Sequence, residues 1–263
     1  MNLNGSLWPD LQERQLLGRF YMAESISEIL NVIFPFRFVY LFVVMERPEW
    51  AVIPLMVEMA TVLVMEIPTG VVADRWGRKI SVICGGLVSA LGWGLIPLAV
   101  SASGSDQLLF ASLCFFLSGF GQTLVSGAQQ AWVVDNLASA GRRDLVDRFF
   151  ARMRSFASLG GVMAGSIALL ILLSTEVTRA VLDWLWYLAA FGLLLGIALA
   201  ATIPEKRPQQ TDDDPQPPGL WQQARAGFRG IGRNRPMLML AIGPTLGGYG
   251  LYTVSLVHLP ATT

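Results

Sequence analysis

Between residues 20 and 203 the chain is a succession of long apolar runs divided by short polar breaks. Six runs, at about 20–45, 51–73, 80–101, 107–134, 155–174 and 181–203, reach the length of roughly 20 apolar residues that a helix needs to cross about 30 Å of hydrocarbon. A seventh run extends from Met237 to about Leu259. The runs are continuous and do not alternate with period two, so they predict helices and not closed strands. Most connections are short, which makes sequence neighbours antiparallel. The expected fold class is an all-α integral membrane protein: a six-helix bundle over 1–203, a connection over 204–236 and the start of a seventh helix over 237–263.

The long connection has two parts. PEKRPQQTDDDPQPPG, from residue 204 to 219, is rich in proline and in acidic and amide side chains, and reads as an extended, disordered linker. After it, Trp221, Ala224, Phe228 and Ile231 follow helical spacing while Arg225, Arg229 and Arg233 repeat every four residues. That pattern predicts a basic amphipathic helix resting on an anionic lipid surface, as an anchor in preference to a lipid-signalling device.

Composition agrees with a membrane setting. Hydrophobic residues make up 53% of the 263 and charged residues only 14%, against about 25% charged in soluble domains; mean hydropathy is +0.52. The formal net charge of zero says little, because sidedness matters more than the sum. Sixteen of the nineteen basic residues fall at the N-terminus and in the loops after the second, fourth and sixth runs. Two, Arg47 and Arg179, fall in the alternate loops, and Arg37 lies within the first run. This bias puts the N-terminus on the inner side. The first nineteen residues, with Pro9, Asp10 and Glu13, lack the pattern of a cleaved signal peptide. Cys84 and Cys114 each sit in an apolar run and read as small core residues. Seventeen arginines against two lysines suggest a GC-rich bacterial genome and hence an inner membrane.

One short stretch breaks the hydrophobic pattern sharply. GVVADRWGRK, residues 70–79, sets Asp74, Arg75, Arg78 and Lys79 between the second and third runs. A turn this tight leaves two helix ends close together, with unsatisfied carbonyls on one and amides on the other. Gly70 and Gly77 are expected to allow close backbone approach and the turn. Arg75, Arg78 and Lys79 suit the last carbonyls of the second helix and an anionic surface. Asp74 needs a cationic or helix-N-terminal partner. A plain positive-inside anchor with no gating role is the alternative reading.

Gly70, Asp74, Arg75, Gly77, Arg78 and Lys79 resemble the G-x-x-x-D-R-x-G-R-K signature of the major facilitator superfamily, in that family's place between spans two and three. Glu66, Pro68 and Gly70 resemble the E-x-P-x-G run of its efflux-type members, and SGAQQAWVVDNL, from Ser126 to Leu137, resembles the end of span four in the same group. The resemblance implies a secondary transporter working by alternating access, with each six-helix half built from two inverted three-helix repeats. It implies that Asp74 braces one half against the other when the inner side is closed, with Arg78 and Asp135 in the same charge cluster. It also implies that spans one and four line the central cavity.

Polar residues inside the spans fit that picture. Glu24, Glu28 and Asn31 form one stripe on the first span, and Gln122, Ser126, Gln129 and Gln130 form another on the fourth. Ionised groups at mid-bilayer cost at least ~2.5–3.5 kcal/mol each, so both stripes are expected to face a polar pathway. Arg37, thirteen residues beyond Glu24, is placed ~20 Å further along a straight helix, towards the outer half. Glu58, midway along the second span, is either a proton acceptor or a neutral carboxylic acid hydrogen-bonded between helices. Gly161 with Gly165, and Gly92 with Gly94, read as small-residue packing faces.

The sequence also departs from the family. Its antiporters often carry G-P-x-x-G-G in span five, where SFASLGGVMAGSIALLILL has no proline; uniport and symport stay open. Gly243, Pro244, Gly247 and Gly248 supply those letters in the seventh run, the wrong place. A complete member has twelve spans, so the chain reads as an N-terminal half, truncated or split. Its expected partners are a small-molecule substrate, protons, the lipid bilayer, and a C-terminal half or second copy; no nucleic acid is expected. No cofactor or metal is expected, since no His, Cys or carboxylate cluster has ligand spacing and His258 stands alone. The alternative function is a non-transporting membrane protein that pairs with or regulates a transporter; an enzyme and a seven-helix receptor fit poorly. The acidic residues lean towards cationic or lipophilic cargo, but Arg37 could equally receive an anion.

Overall fold

A computed structural model describes residues 11–174, 176, 178–206 and 225, and among them every regular element is a helix. The seventh run, His258 and, but for its first three residues and Arg225, the connection over 204–236 lie outside the described residues. The elements are α1 (Leu11–Leu30), α2 (Arg37–Val44), α3 (Val52–Trp76), α4 (Arg78–Ala99), α5 (Gly104–Ser139), α6 (Val146–Ser174) and α7 (Arg179–Ala201). Short 3-10 turns precede α2 (Phe34–Phe36), α3 (Pro48–Ala51) and α6 (Arg143–Leu145). They form six stretches long and apolar enough to cross a membrane.

The first span is not the single helix over 20–45 that hydropathy suggests. It starts nine residues earlier and is broken after Leu30. Pro35 has no N–H to donate and its ring clashes with the carbonyl four residues back, which favours a break there, although α3 and α4 continue through Pro68 and Pro97. The backbone tightens instead, with Asn31 N–H donating to Glu28 O at 3.3 Å, Phe34 to Asn31 O at 3.2 Å and Phe36 to Ile33 O at 2.8 Å. The chain then restarts as α2. The straight-helix distance from Glu24 to Arg37 therefore does not apply. The fifth span also begins early, at Val146 in place of residue 155, because Leu145 and Phe149 are buried against the bundle although charged residues surround them.

Between α3 and α4 the turn is a single residue. Gly77, at φ 115° and ψ 140°, ends one helix and begins the next. A side chain would be strained at that positive φ, which is why glycine stands there.

Packing follows a twofold pattern. The closest neighbours are α4 with α5, α3 with α5, α1 with α7, α1 with α6, and α4 with α7. Exchanging the first three spans for the last three, in order, maps this set onto itself: α4–α5 becomes α7–α1, α3–α5 becomes α6–α1, and α4–α7 is unchanged. Because three spans reverse the direction across a membrane, the two sets are inverted with respect to each other. Two apolar clusters close the ends of the bundle. One gathers Val32, Tyr40, Leu41, Ile96, Phe115 and Trp186; the other gathers Leu17, Phe20, Trp132, Val133, Leu137 and Phe149 around the end that carries the charged block. Leu91, Leu98, Leu113, Leu170, Leu173 and Phe191 stay exposed, as side chains facing hydrocarbon should.

Close backbone contact is carried by α4 and α5. A Cβ on Gly121 would lie 2.3 Å from Gly85 O, and one on Gly85 would lie 2.6 Å from Gly121 O. Gly92 is similarly tight, 2.7 Å from Cys114 O, whereas Gly94 meets nothing nearer than Ala190 Cβ at 3.9 Å. Three expected packing glycines find no neighbour among the described residues: a Cβ at Gly70, Gly161 or Gly165 meets none of them within 4 Å. Helical spacing identifies a face but not whether a neighbour covers it. On α6 the tight position is Gly160, whose Cβ would come 2.7 Å from Glu28 Cβ.

Gly121→Val should therefore lower the thermal midpoint of the purified chain by an amount equivalent to about 1–3 kcal/mol or more of overpacking. Gly161→Ala should leave the midpoint unchanged or raise it slightly, by up to ~1 kcal/mol. Equal effects from the two would contradict the helix contacts described.

Candidate functional site

α1 and α5 touch only sparsely, and between them lies a cavity of about 480 Å³ whose walls also include α4, α6 and α7. Glu24, Glu28, Asn31, Arg37, Gln122, Ser126, Gln129 and Gln130 all line it. Both polar stripes foreseen on the first and fourth spans thus meet one space. Gln129 Nε2 donates to Glu24 Oε2 at 3.4 Å across the gap, and Ser126 Oγ donates to Glu66 Oε1 at 2.9 Å. Phe20, Trp93, Trp132, Phe149 and Phe150 supply an aromatic wall.

Glu58 behaves differently. It is 2% exposed and is not on the cavity wall. Its Oε2 pairs with Arg37, which is 5% exposed. Its Oε1 accepts from Ser118 Oγ at 2.5 Å and from Gln122 Nε2 at 3.0 Å. Ser118 Oγ in turn accepts from Trp93 Nε1 at 2.8 Å. The Arg37 guanidinium lies over three rings, with centroids 5.1 Å away in Phe115, 5.8 Å in Trp186 and 5.9 Å in Phe34. Delocalised and weakly hydrated, a guanidinium suits such a setting. Burying two charges is tolerated only when they pair and their remaining polar atoms are satisfied. The proline break after α1 is what lets α2 restart with Arg37 facing α3.

The charged block is assembled by three elements. Arg78 pairs with Asp135, donates from Nη1 to Ala131 O at 2.7 Å, and holds Nη2 at 3.7 Å from Asp74 Oδ1. Asp74, Arg78 and Asp135 are therefore in one cluster, although the Asp74 side chain is 70% exposed and Arg75 is exposed beside it. One expectation is corrected. Arg78 and Lys79 reach carbonyls outside α3 and not those at its end. Arg78 instead serves α5, and Lys79 Nζ donates to Ile203 O at 2.8 Å, just past the end of α7. Cations at helix C-termini are favourable wherever the helix comes from.

Two clusters were not foreseen. Glu13 is fully buried and accepts from Arg152 Nη1 at 2.5 Å, Arg148 Nη1 at 3.4 Å and Tyr21 Oη at 3.4 Å, tying α1 to α6. The spacing of Glu13, Leu17, Phe20 and Tyr21 on one helical face was the available signal. The start of the connection is also held in place. Pro204 O accepts from Asn136 Nδ2 at 2.9 Å and Trp132 Nε1 at 3.3 Å, Lys206 N–H donates to Asn136 Oδ1 at 2.9 Å, and Arg78 N–H donates to Glu205 Oε1 at 2.9 Å. Residues 204–206 are thus pinned beneath the bundle.

The sequence from residue 52 to residue 262 matches the family model described as Major Facilitator Superfamily. The chain belongs to the major facilitator superfamily. No curated protein and no solved structure is matched. As a superfamily member with six helices, among the described residues, long and apolar enough to cross a membrane, it is an integral membrane transporter of small molecules.

Replacing Arg37 alone by Met leaves Glu58 buried without its counter-ion and should destabilise the bundle by about 3–5 kcal/mol. Replacing both Arg37 and Glu58 by Met should recover most of that loss. Thermal unfolding of the two purified variants measures the difference, and a double variant no better than the single would contradict the pairing.

Proposed function

We propose that the six described spans are one half of a secondary transporter that moves its cargo by alternating access, with the N-terminus on the inner face of a bacterial inner membrane and export as the direction. The observation that carries this reading is the cavity between α1 and α5, on which two polar stripes from inversely related spans converge. Glu24, Glu28, Asn31, Gln122 and Gln129 would contact the cargo or its accompanying protons. Arg37 and Glu58 hold the wall in shape behind them; the ion pair favours a fixed structural carboxylate at Glu58 over a proton acceptor. Gly70, Asp74, Arg75, Gly77, Arg78, Lys79 and Asp135 would form the inner gate. In it Arg78 fixes the block to α5, while exposed Asp74 is available to a second half. A second half completes the pathway.

Vesicle transport by the purified chain, alone and with a co-expressed C-terminal six-helix half, tests the proposal. Transport that needs the second half supports it; full transport by the chain without one would refute the two-half reading. In the transporting form, Asp74→Asn should abolish turnover while leaving membrane insertion and the melting profile intact. Undiminished kinetics in that variant would remove the gating role.

A further inference from the structure

We propose that the cavity selects organic cations with an apolar body; this rests on the transporter reading above and names its substrate class. The two carboxylates alone would not decide the matter, because Arg37 lies on the same wall and could receive an anion. The structure removes that option. The Arg37 guanidinium is committed to Glu58 and to the faces of Phe115, Trp186 and Phe34, so its charge is compensated inside the protein. Arg148 and Arg152, on the helix that supplies Phe149, Phe150 and Met153 to the wall, are likewise committed to Glu13. No Lys, His or second Arg lines the space among the described residues.

What remains on the wall is Glu24 and Glu28, with uncharged polar groups that include the amides of Asn31, Gln122, Gln129 and Gln130 and the hydroxyl of Ser126. Glu66, bonded by Ser126, places a third carboxylate beside it. An anion entering this space would meet like charge in a low dielectric, and a neutral polar molecule would bring the carboxylates no counter-charge. A cation satisfies them. The accessible aromatic side chains of the lining, Phe34, Trp93 and Phe150, determine the rest of the ligand: they offer apolar area and ring faces that attract a diffuse, weakly hydrated cation better than a small hydrated one. A volume of about 480 Å³ lies in the range of pockets that hold drug-sized organic molecules.

The test uses three probes of similar shape and different charge on the purified full chain in detergent: tetraphenylphosphonium, tetraphenylborate and neutral triphenylphosphine oxide. Calorimetry should find saturable binding of the phosphonium, and neither of the other two should compete with it. Glu24→Gln with Glu28→Gln should weaken phosphonium binding about tenfold or more while the chain keeps its melting profile. Glu58→Gln, which frees the Arg37 charge, should weaken the phosphonium and strengthen the borate. Should that variant fail to fold, the Glu24 and Glu28 pair decides alone. Borate or oxide binding as tight as phosphonium, no saturable phosphonium binding, or an unaffected double variant would each overturn the substrate class. Transport of an anion in the vesicle assay would overturn it too, yet leave the transporter reading standing. Phosphonium binding without transport beside a second half would do the reverse.

Discussion

The ion pair between Arg37 and Glu58 sets the interior of this bundle. In a bilayer there is no water to solvate a stray charge, so every ionised group in a span must be matched from within the protein or open onto an aqueous space. Arg37 and Glu58 are matched from within. To match them, α1 has to end at Leu30 and α2 has to restart beyond Pro35, and α5 has to come near enough for Ser118 and Gln122 to take the second carboxylate oxygen. The glycines at 85, 92, 119 and 121 allow that approach of α5 to α3 and α4. Glu24 and Glu28 follow the other route, opening onto the cavity.

The bundle is consequently layered. An apolar cluster around Trp186 closes one end and another around Trp132 closes the opposite end, with the buried network and the cavity lying between them. Rigid ends around a polar middle suit a bundle that moves as one body, since packed cores do not deform continuously. Glu13, Arg148 and Arg152 stiffen the end that carries the charged block, and Lys79, Asn136 and Trp132 fasten the exit of α7 to the same region. The block between α3 and α4 is therefore joined to α5 and to the start of the connection.

Much of this could be read from the order of the residues. The six spans, the charged block and the two polar stripes depend on hydropathy and helical spacing, which are local properties of the chain. The pairing of Arg78 with Asp135 followed only from family resemblance. The buried Glu13 cluster was missed because its arginine partners lie more than a hundred residues away, in a stretch that reads equally well as an inner-surface loop. That Gly70, Gly161 and Gly165 pack against no other described residue was not legible for a related reason: spacing along one helix does not say what faces it.

The sequence by itself determined that the chain crosses a lipid bilayer as helices, and which residues lie on each helical face, because the free energy of placing a side chain in hydrocarbon depends on that side chain and its near neighbours. Only the tertiary structure decided which charges cancel. Glu24, Glu28, Arg37 and Glu58 all stand as charged residues within apolar runs, yet Arg37 and Glu58 compensate each other while Glu24 and Glu28 open onto the cavity. That division depends on distances between helices, and electrostatic energy in a low dielectric is a function of those distances.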